Sequence, residues 1–246
     1  SIALENGVSL TNKGNEDGMI IKYSAEGECE WAKGIGGSRD DEIKSVAETS
    51  DGGIIAGGYF VSKNIDLGNG VSITNKGSYD GMIIKYSAEG ECEWAKGIGG
   101  SGLEEIEAVV ETRDGGYIAG GYFFSGSIDL ENRVSLSNKG ETDGMIIRYN
   151  AEGECEWAKV IGGSGYDYIN SVAKKSDGGY VAGGYFKNSS IDLENGVSLE
   201  NKGYEDGMII KYDKIELPNP ITVQAKGIGG SESDKINSVA ECSDGG

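Results

Sequence analysis

The chain reads as all-β, a β-propeller built from four repeats of 63 residues, and three observations lead there. The stretch DGMIIKYSAEGECEWAKGIGGS at 17–38 returns unchanged at 80–101, and at 143–164 it differs only at Arg148, Asn150 and Val160. Trp31, Trp94 and Trp157 keep the same interval, as do Ile2, Ile65, Ile128 and Ile191. Such a fixed long period marks an array whose modules bury their apolar faces only against each other. Within each unit, short runs of β-branched and aromatic residues alternate with turn signals, and no segment shows a helical period or an N-cap followed by an amphipathic stripe. The 246 residues would allow two small domains by length, but the repeats occupy the whole span 1–246, so a single repeat domain is expected.

The unit at 43–100 gives the elements in order. IKSVAET (43–49) is a first strand, and SDGG (50–53) a turn in which Asp caps and Gly supplies positive φ. IIAGGYF (54–60) is a second strand whose paired glycines let a neighbouring backbone or ring approach closely. A long connection, 61–80, contains its own hairpin, NIDLGNGVSIT (64–74), turning at Gly68, Asn69 and Gly70. GMIIKY (81–86), the tight turn SAEGE (87–91) and CEWAKGIGG (92–100) complete the unit. A four-stranded antiparallel sheet repeated in this way has two faces to bury, and a ring of blades packed side against side buries both. A β-solenoid is the second reading, although its coils are usually shorter.

DGMIIKYSAEGECEWAKGIGGS…SVAETSDGGIIAGGYF resembles the SBBP (seven-bladed β-propeller) type of bacterial repeat. The shared features are an Asp opening a strand, an x-G turn, a Trp strand ending in GG, and a DGG turn before Y-x-x-G. The resemblance covers all four units and implies a large bacterial surface or secreted protein with no catalytic motif to transfer. By analogy with related propellers, SVAE lies nearest the axis, followed by IAGGYF, GMIIKY and EWAK. Complete blades are then expected at 43–100, 106–163 and 169–230. A closing blade would be assembled from 1–37 and 235–246, with its second strand lacking. A fragment of a longer array, strand complementation by another chain, and an open ring all remain open. The fourth unit departs from the pattern: DKIELPNPITVQ (213–224) holds both prolines, which suit an edge, and Gln224 stands where Trp is expected.

Composition narrows the function. There are 41 acidic against 22 basic residues, a formal charge of −19, which disfavours nucleic acid and anionic membrane surfaces as partners. No apolar run approaches a transmembrane span, so membrane insertion is not expected. The absence of histidine removes the usual general base, the Ser-His and Cys-His systems and the commonest transition-metal ligand. Cys29, Cys92, Cys155 and Cys242 lie too far apart in the repeat to pair and read as small buried apolar residues.

In a meander, alternate connections emerge on opposite faces, so SDGG and SAEGE share one face, and the long connection and blade-to-blade loop share the other. That second loop varies: SRDDEI (38–43), SGLEEI (101–106), SGYDYI (164–169) and SESDKI (231–236). Near-identical blades with one changing loop suggest a presented surface, and neutral drift is the plainer alternative. Tyr166 and Tyr168, with Arg39 and Asp40 in the first loop, are the candidate ligand-binding residues. Asp41, Glu104, Asp167 and Asp234 keep an acid at one loop position, where four carboxylates could hold Ca²⁺ at the channel mouth. The plainer reading is a loop cap accepting backbone N–H groups. Asp17, Asp80, Asp143 and Asp206 are expected to fix a turn, and the tryptophans to pack between blades. The expectation is an extracellular or cell-surface binding module for a glycan or protein, not an enzyme and without a cofactor. A carboxylate-based glycan-processing enzyme and a structural spacer are the alternatives.

Overall fold

In the computed structural model, residues 1–193, 196–212 and 223–242 are described. Their architecture is all-β and of propeller type. The first two principal strands, β1 (Gly18–Tyr23) and β2 (Cys29–Ile35), form a two-stranded half-blade. Three four-stranded antiparallel blades follow. Blade 1 holds β3 (Asp41–Glu48), β4 (Ile54–Phe60), β5 (Asp80–Tyr86) and β6 (Cys92–Ile98). Blade 2 holds β7 (Glu104–Glu111), β8 (Tyr117–Phe123), β9 (Asp143–Tyr149) and β10 (Cys155–Ile161). Blade 3 holds β11 (Asp167–Lys174), β12 (Tyr180–Phe186), β13 (Asp206–Tyr212) and β14 (Val223–Ile228). Each blade is a plain meander in the order the sequence predicts, although it opens and closes two residues earlier than the expected 43–100, 106–163 and 169–230. The hairpin in the first long connection pairs Asn64–Gly68 with Val71–Thr74, and Gly68, Asn69 and Gly70 all take positive φ there.

The paired glycines of the second strands separate two jobs. A Cβ on Gly58, Gly121 or Gly184 would fall 1.9, 2.0 or 1.8 Å from the carbonyl oxygen of Glu42, Glu105 or Tyr168. Each of those residues adjoins a β-bulge in its blade's own first strand, which presses the backbone inward. The preceding glycine serves the next blade instead. A Cβ on Gly57 would lie 2.7 Å from Ile106 and from Val109, and one on Gly120 would lie 2.7 Å from Val172 and 2.9 Å from Ile169. Ile106 and Ile169 are fully buried in these notches, each worth roughly 1.5–3 kcal/mol of transfer free energy. Blade-to-blade stacking is therefore keyed, side chain into glycine notch, at every step.

The rim is stapled by tryptophan. Trp31 lies 6.3 Å from Tyr86 and its indole N–H donates to the Ala88 carbonyl at 2.9 Å. Trp94 meets Tyr117 and Tyr149 of the next blade, and Trp157 stacks on Tyr180. A buried cation on each of two third strands ties the blade's first turn to its fourth strand. Lys85 Nζ reaches Asp51 at 2.9 Å and Glu93 at 3.0 Å, and Arg148 makes a bidentate bond to Asp114 at 2.8 Å and reaches Glu156 at 3.0 Å.

The two pieces assigned to a closing blade do not pair with each other. The half-blade packs beside blade 1, where a Cβ on Gly18 would lie 2.9 Å from Ile43. Residues 236–242 pack against blade 3, with Val239 and Ile236 in the notch of Gly183, yet join no ladder. Among the described residues, no sheet closes a ring. Cysteines 29, 92 and 155 are buried, as expected, but Cys242 is exposed, because the segment carrying it has no covering strand. The expected proline edge at 213–222 lies outside the described residues.

Candidate ligand-binding face

The long-loop face is rigidly built. Single parallel bridges, Glu16 with Asp40, Tyr79 with Leu103, Thr142 with Tyr166 and Glu205 with Ser233, clip each blade-to-blade loop to the long connection behind it. The recurring acid sits under the loop. Asp41 accepts N–H groups from Gly37, Val61 and Ser62 and the Ser62 hydroxyl, at 2.6–3.1 Å. Glu104 accepts from Gly100 and Ser125, Asp167 from Gly163 and Lys187, and Asp234 from Gly230. The first three are buried, and each caps its loop by accepting these N–H groups. Among the described residues, no group of three or more carboxylates and thiols is gathered to hold a metal ion. Burial raises the Asp167 carboxyl to about 6 against the opposing hydrogen bonds from Gly163, Asn188 and Lys187.

Above these caps runs a row of tyrosines that the sequence reading did not single out. Tyr59, Tyr122 and Tyr185 close the GGYF strands, and each stands directly opposite the second residue of its blade's first strand: Glu42, Glu105 and Tyr168. The tyrosine stays fixed, while its partner is Glu in blades 1 and 2 and Tyr in blade 3. In blade 1, the Tyr59 hydroxyl donates to Glu42 at 3.0 Å and Lys44 Nζ stands 5.4 Å from the ring centre. In blade 3, Tyr168 stacks on Tyr185 at 4.7 Å and meets Tyr122 of blade 2 edge-on at 4.7 Å. Lys235 covers the Tyr185 ring at 4.1 Å. A cleft of about 410 Å³ opens between blades 2 and 3, lined by Tyr122, Tyr168, Tyr185, Glu107, Asn170 and Lys235.

Charge changes along the row. Glu42, Glu105 and Glu107 surround Lys44 at the junction of blades 1 and 2. At blade 3, Lys187 and Lys235 flank Glu205 at 3.2 and 3.0 Å. Burial, helped by Glu105, holds the Tyr122 phenol well above its ordinary pKa, and burial with Glu42 does the same for Tyr59. Both remain hydroxyl donors near neutral pH. Burial also raises the Glu107 carboxyl.

Tyr166 and Tyr168 therefore lie at one place with different parts: Tyr166 is exposed, with Lys187 5.5 Å from its ring, and Tyr168 is built into the cleft wall. Arg39 and Asp40 lie in the loop ahead of blade 1, where the Arg39 N–H donates to the Ser62 hydroxyl at 2.9 Å and the Asp40 carbonyl accepts from Val61. Of the missed residues, Tyr122, Tyr185, Glu107 and Lys235, only Glu107 carried a readable signal: two-residue alternation along the first strand puts it on the side of Glu105, as it puts Asn170 on the side of Tyr168. The cross-strand partners needed the register.

No protein-family profile matches the chain. It is similar to an uncharacterized WD repeat-containing protein, L264, of Acanthamoeba polyphaga mimivirus, 24% identical over 152 residues. That match covers 58% of this chain and 11% of the viral protein, so the chain spans about a tenth of that relative. A crystal structure of a protein of unknown function from Bacteroides caccae aligns over 84% of this chain and 72% of its own, with a TM-score of 0.38 and 13% identity. The blades and the WD-repeat likeness agree on a propeller-type repeat fold.

Proposed function

We propose that the chain is a binding module of a bacterial extracellular or cell-surface protein, meeting a glycan or protein ligand on the long-loop face at the cleft between blades 2 and 3. The observation that carries this reading is the tyrosine row. Near-identical blades hold Tyr59, Tyr122 and Tyr185 in one position, facing Glu42 and Glu105 in blades 1 and 2 and Tyr168 in blade 3. The cleft offers aromatic edges, hydroxyl and amide donors and one cation, a set suited to recognition. Beside the cleft, Glu105 and Glu107 share a side-chain hydrogen bond and burial raises the Glu107 carboxyl, so carboxylate-based glycan hydrolysis is the second reading, tested by whether any turnover is lost in Glu107→Gln.

Glycan and peptide arrays probed with the intact chain test it. Replacing Tyr168 by Ala should weaken any array signal at least tenfold, and Tyr166→Ala should weaken it less. Glu152→Ala, on the short-turn face, should leave it unchanged. A signal indifferent to Tyr168→Ala, or lost equally with Glu152→Ala, overturns the assignment of this face.

A further inference from the structure

The tyrosine row carries lysines of the chain itself at two of its three places. Lys44 Nζ stands 5.4 Å from the centre of the Tyr59 ring, and Lys235 Nζ stands 4.1 Å from that of Tyr185. Each lysine also pairs with an acid, Lys44 with Glu42 at 3.1 Å and Lys235 with Glu205 at 3.0 Å. Ring, ammonium and carboxylate recur together because the ring quadrupole and the carboxylate draw the same charge. Tyr122, the middle member, is built differently. It stands opposite Glu105 in its own blade and meets Tyr168 of blade 3 at 4.7 Å. Among the described residues, no lysine or arginine stands over the Tyr122 ring, and none forms an ion pair with Glu105 or Glu107. The two acids share a hydrogen bond with each other instead. Burial raises the Glu107 carboxyl, Lys44 opposes the rise, and Glu105 and Glu42 add to it. Crowded acids beside an aromatic wall complement a cation.

We infer that the cleft between blades 2 and 3 receives an arginine side chain from a basic segment of a protein partner, its guanidinium set against Glu105 and Glu107 and its stem along Tyr122 and Tyr168. This rests on the reading of that cleft as the binding site and names what the cleft recognises. Arginine suits the place better than lysine. Its planar fork bridges two carboxylates and lies flat on an aromatic ring, whereas an ammonium is a point charge. Asn170, in the same cleft, donates its Nδ2 to the Ile236 carbonyl at 2.9 Å, which leaves its Oδ1 to accept a further N–H. The formal charge of −19 draws a basic segment from a distance and speeds the encounter without choosing the place. The place is chosen by the two acids and the rings beside them.

The test uses the intact chain in anisotropy titrations with dye-labelled, end-capped glycine-serine peptides whose central residue is arginine, lysine or citrulline, and with glucosamine oligomers. The arginine peptide should bind saturably, the citrulline peptide at least tenfold more weakly, and the lysine peptide in between. Glu105→Gln combined with Glu107→Gln should weaken arginine binding at least tenfold. Glu26→Gln combined with Glu152→Gln removes the same charge from the short-turn face and should change it less than twofold. A thermal melt checks that the variants fold, and Glu107→Gln alone, which keeps a hydrogen-bonding side chain beside Glu105, should still weaken binding at least threefold. Equal binding of the arginine and citrulline peptides, equal loss in the two double variants, or binding by the glucosamine oligomers alone would overturn the inference. Absence of arginine binding beside another array ligand that still depends on Tyr168 would overturn it too, and would leave the cleft as the binding site. Arginine binding indifferent to Tyr168→Ala would instead overturn the reading of the cleft itself.

Discussion

Replacing Asp167 by asparagine tests whether burial or hydrogen bonding rules the loop caps. Its carboxyl is fully buried, and burial carries it from the ordinary 3.8 to about 6. Gly163, Asn188 and Lys187 donate to the charged form and oppose the shift, and Asp143 adds to it. The folded chain therefore binds this proton more tightly than the unfolded chain. The associated stability is complete below about pH 4 and is lost as the pH rises through about 6. Two pKa units correspond to about 3 kcal/mol. Urea unfolding of the wild-type chain and Asp167→Asn, followed by tryptophan fluorescence from pH 4 to 7.5, isolates the contribution as a difference. Wild-type stability relative to the variant should fall by about 2 kcal/mol between pH 4 and 7 and then level off. A flat difference, or one that rises with pH, would show that the N–H donors outweigh burial and would refute the reasoning.

Three further outcomes follow from the geometry. Gly121→Ala should destabilise by more than about 3 kcal/mol, because its new methyl meets a backbone carbonyl, whereas Gly126→Ala, with nothing within 4 Å, should stay within about 0.5 kcal/mol. Chemical denaturation compares them. Arg148→Lys should cost less than about 1 kcal/mol, since Lys85 fills the same site in blade 1, and Arg148→Met about 2 kcal/mol, because the exposed Asp114 and the partly exposed Glu156 regain water. A thiol-specific chromogenic reagent should titrate one fast cysteine, Cys242, in the native chain and four after denaturation. Burial raises Cys92 to about 11 and Cys155 to about 12 and shields both. Two or more fast thiols would contradict the packing.

Much of the fold was legible because the repeat compares the protein with itself. The hairpin at Asn64–Thr74 and the inter-blade place of Trp31, Trp94 and Trp157 follow from period and turn chemistry, whereas the strand order came from the analogy with propellers. The GG pair announced a close approach, but not that two different neighbours share it; that depends on a bulge at Ile43–Ser45 that no local signal marks. The acids at Asp41, Glu104 and Asp167 were visible as a series, yet their role rests on N–H groups some 20 residues away, at Val61, Ser125 and Lys187. The candidate site was half legible. Tyr166 and Tyr168 stood out because they differ between repeats. Tyr122 and Tyr185 were hidden because they do not, and what makes them part of a site is the changing residue across the sheet.

The tryptophan staples also have a mechanical meaning. Trp31 and Trp94 each fasten a rim strand to the outer hairpin of the following unit, and Trp157 fastens one to Tyr180, so tension applied along the polypeptide loads these fastenings in turn. Every release would free about 63 residues, a gain of roughly 220 Å in contour length. Force–extension traces should then show a sawtooth of equal teeth, each marking the detachment of one unit from its successor.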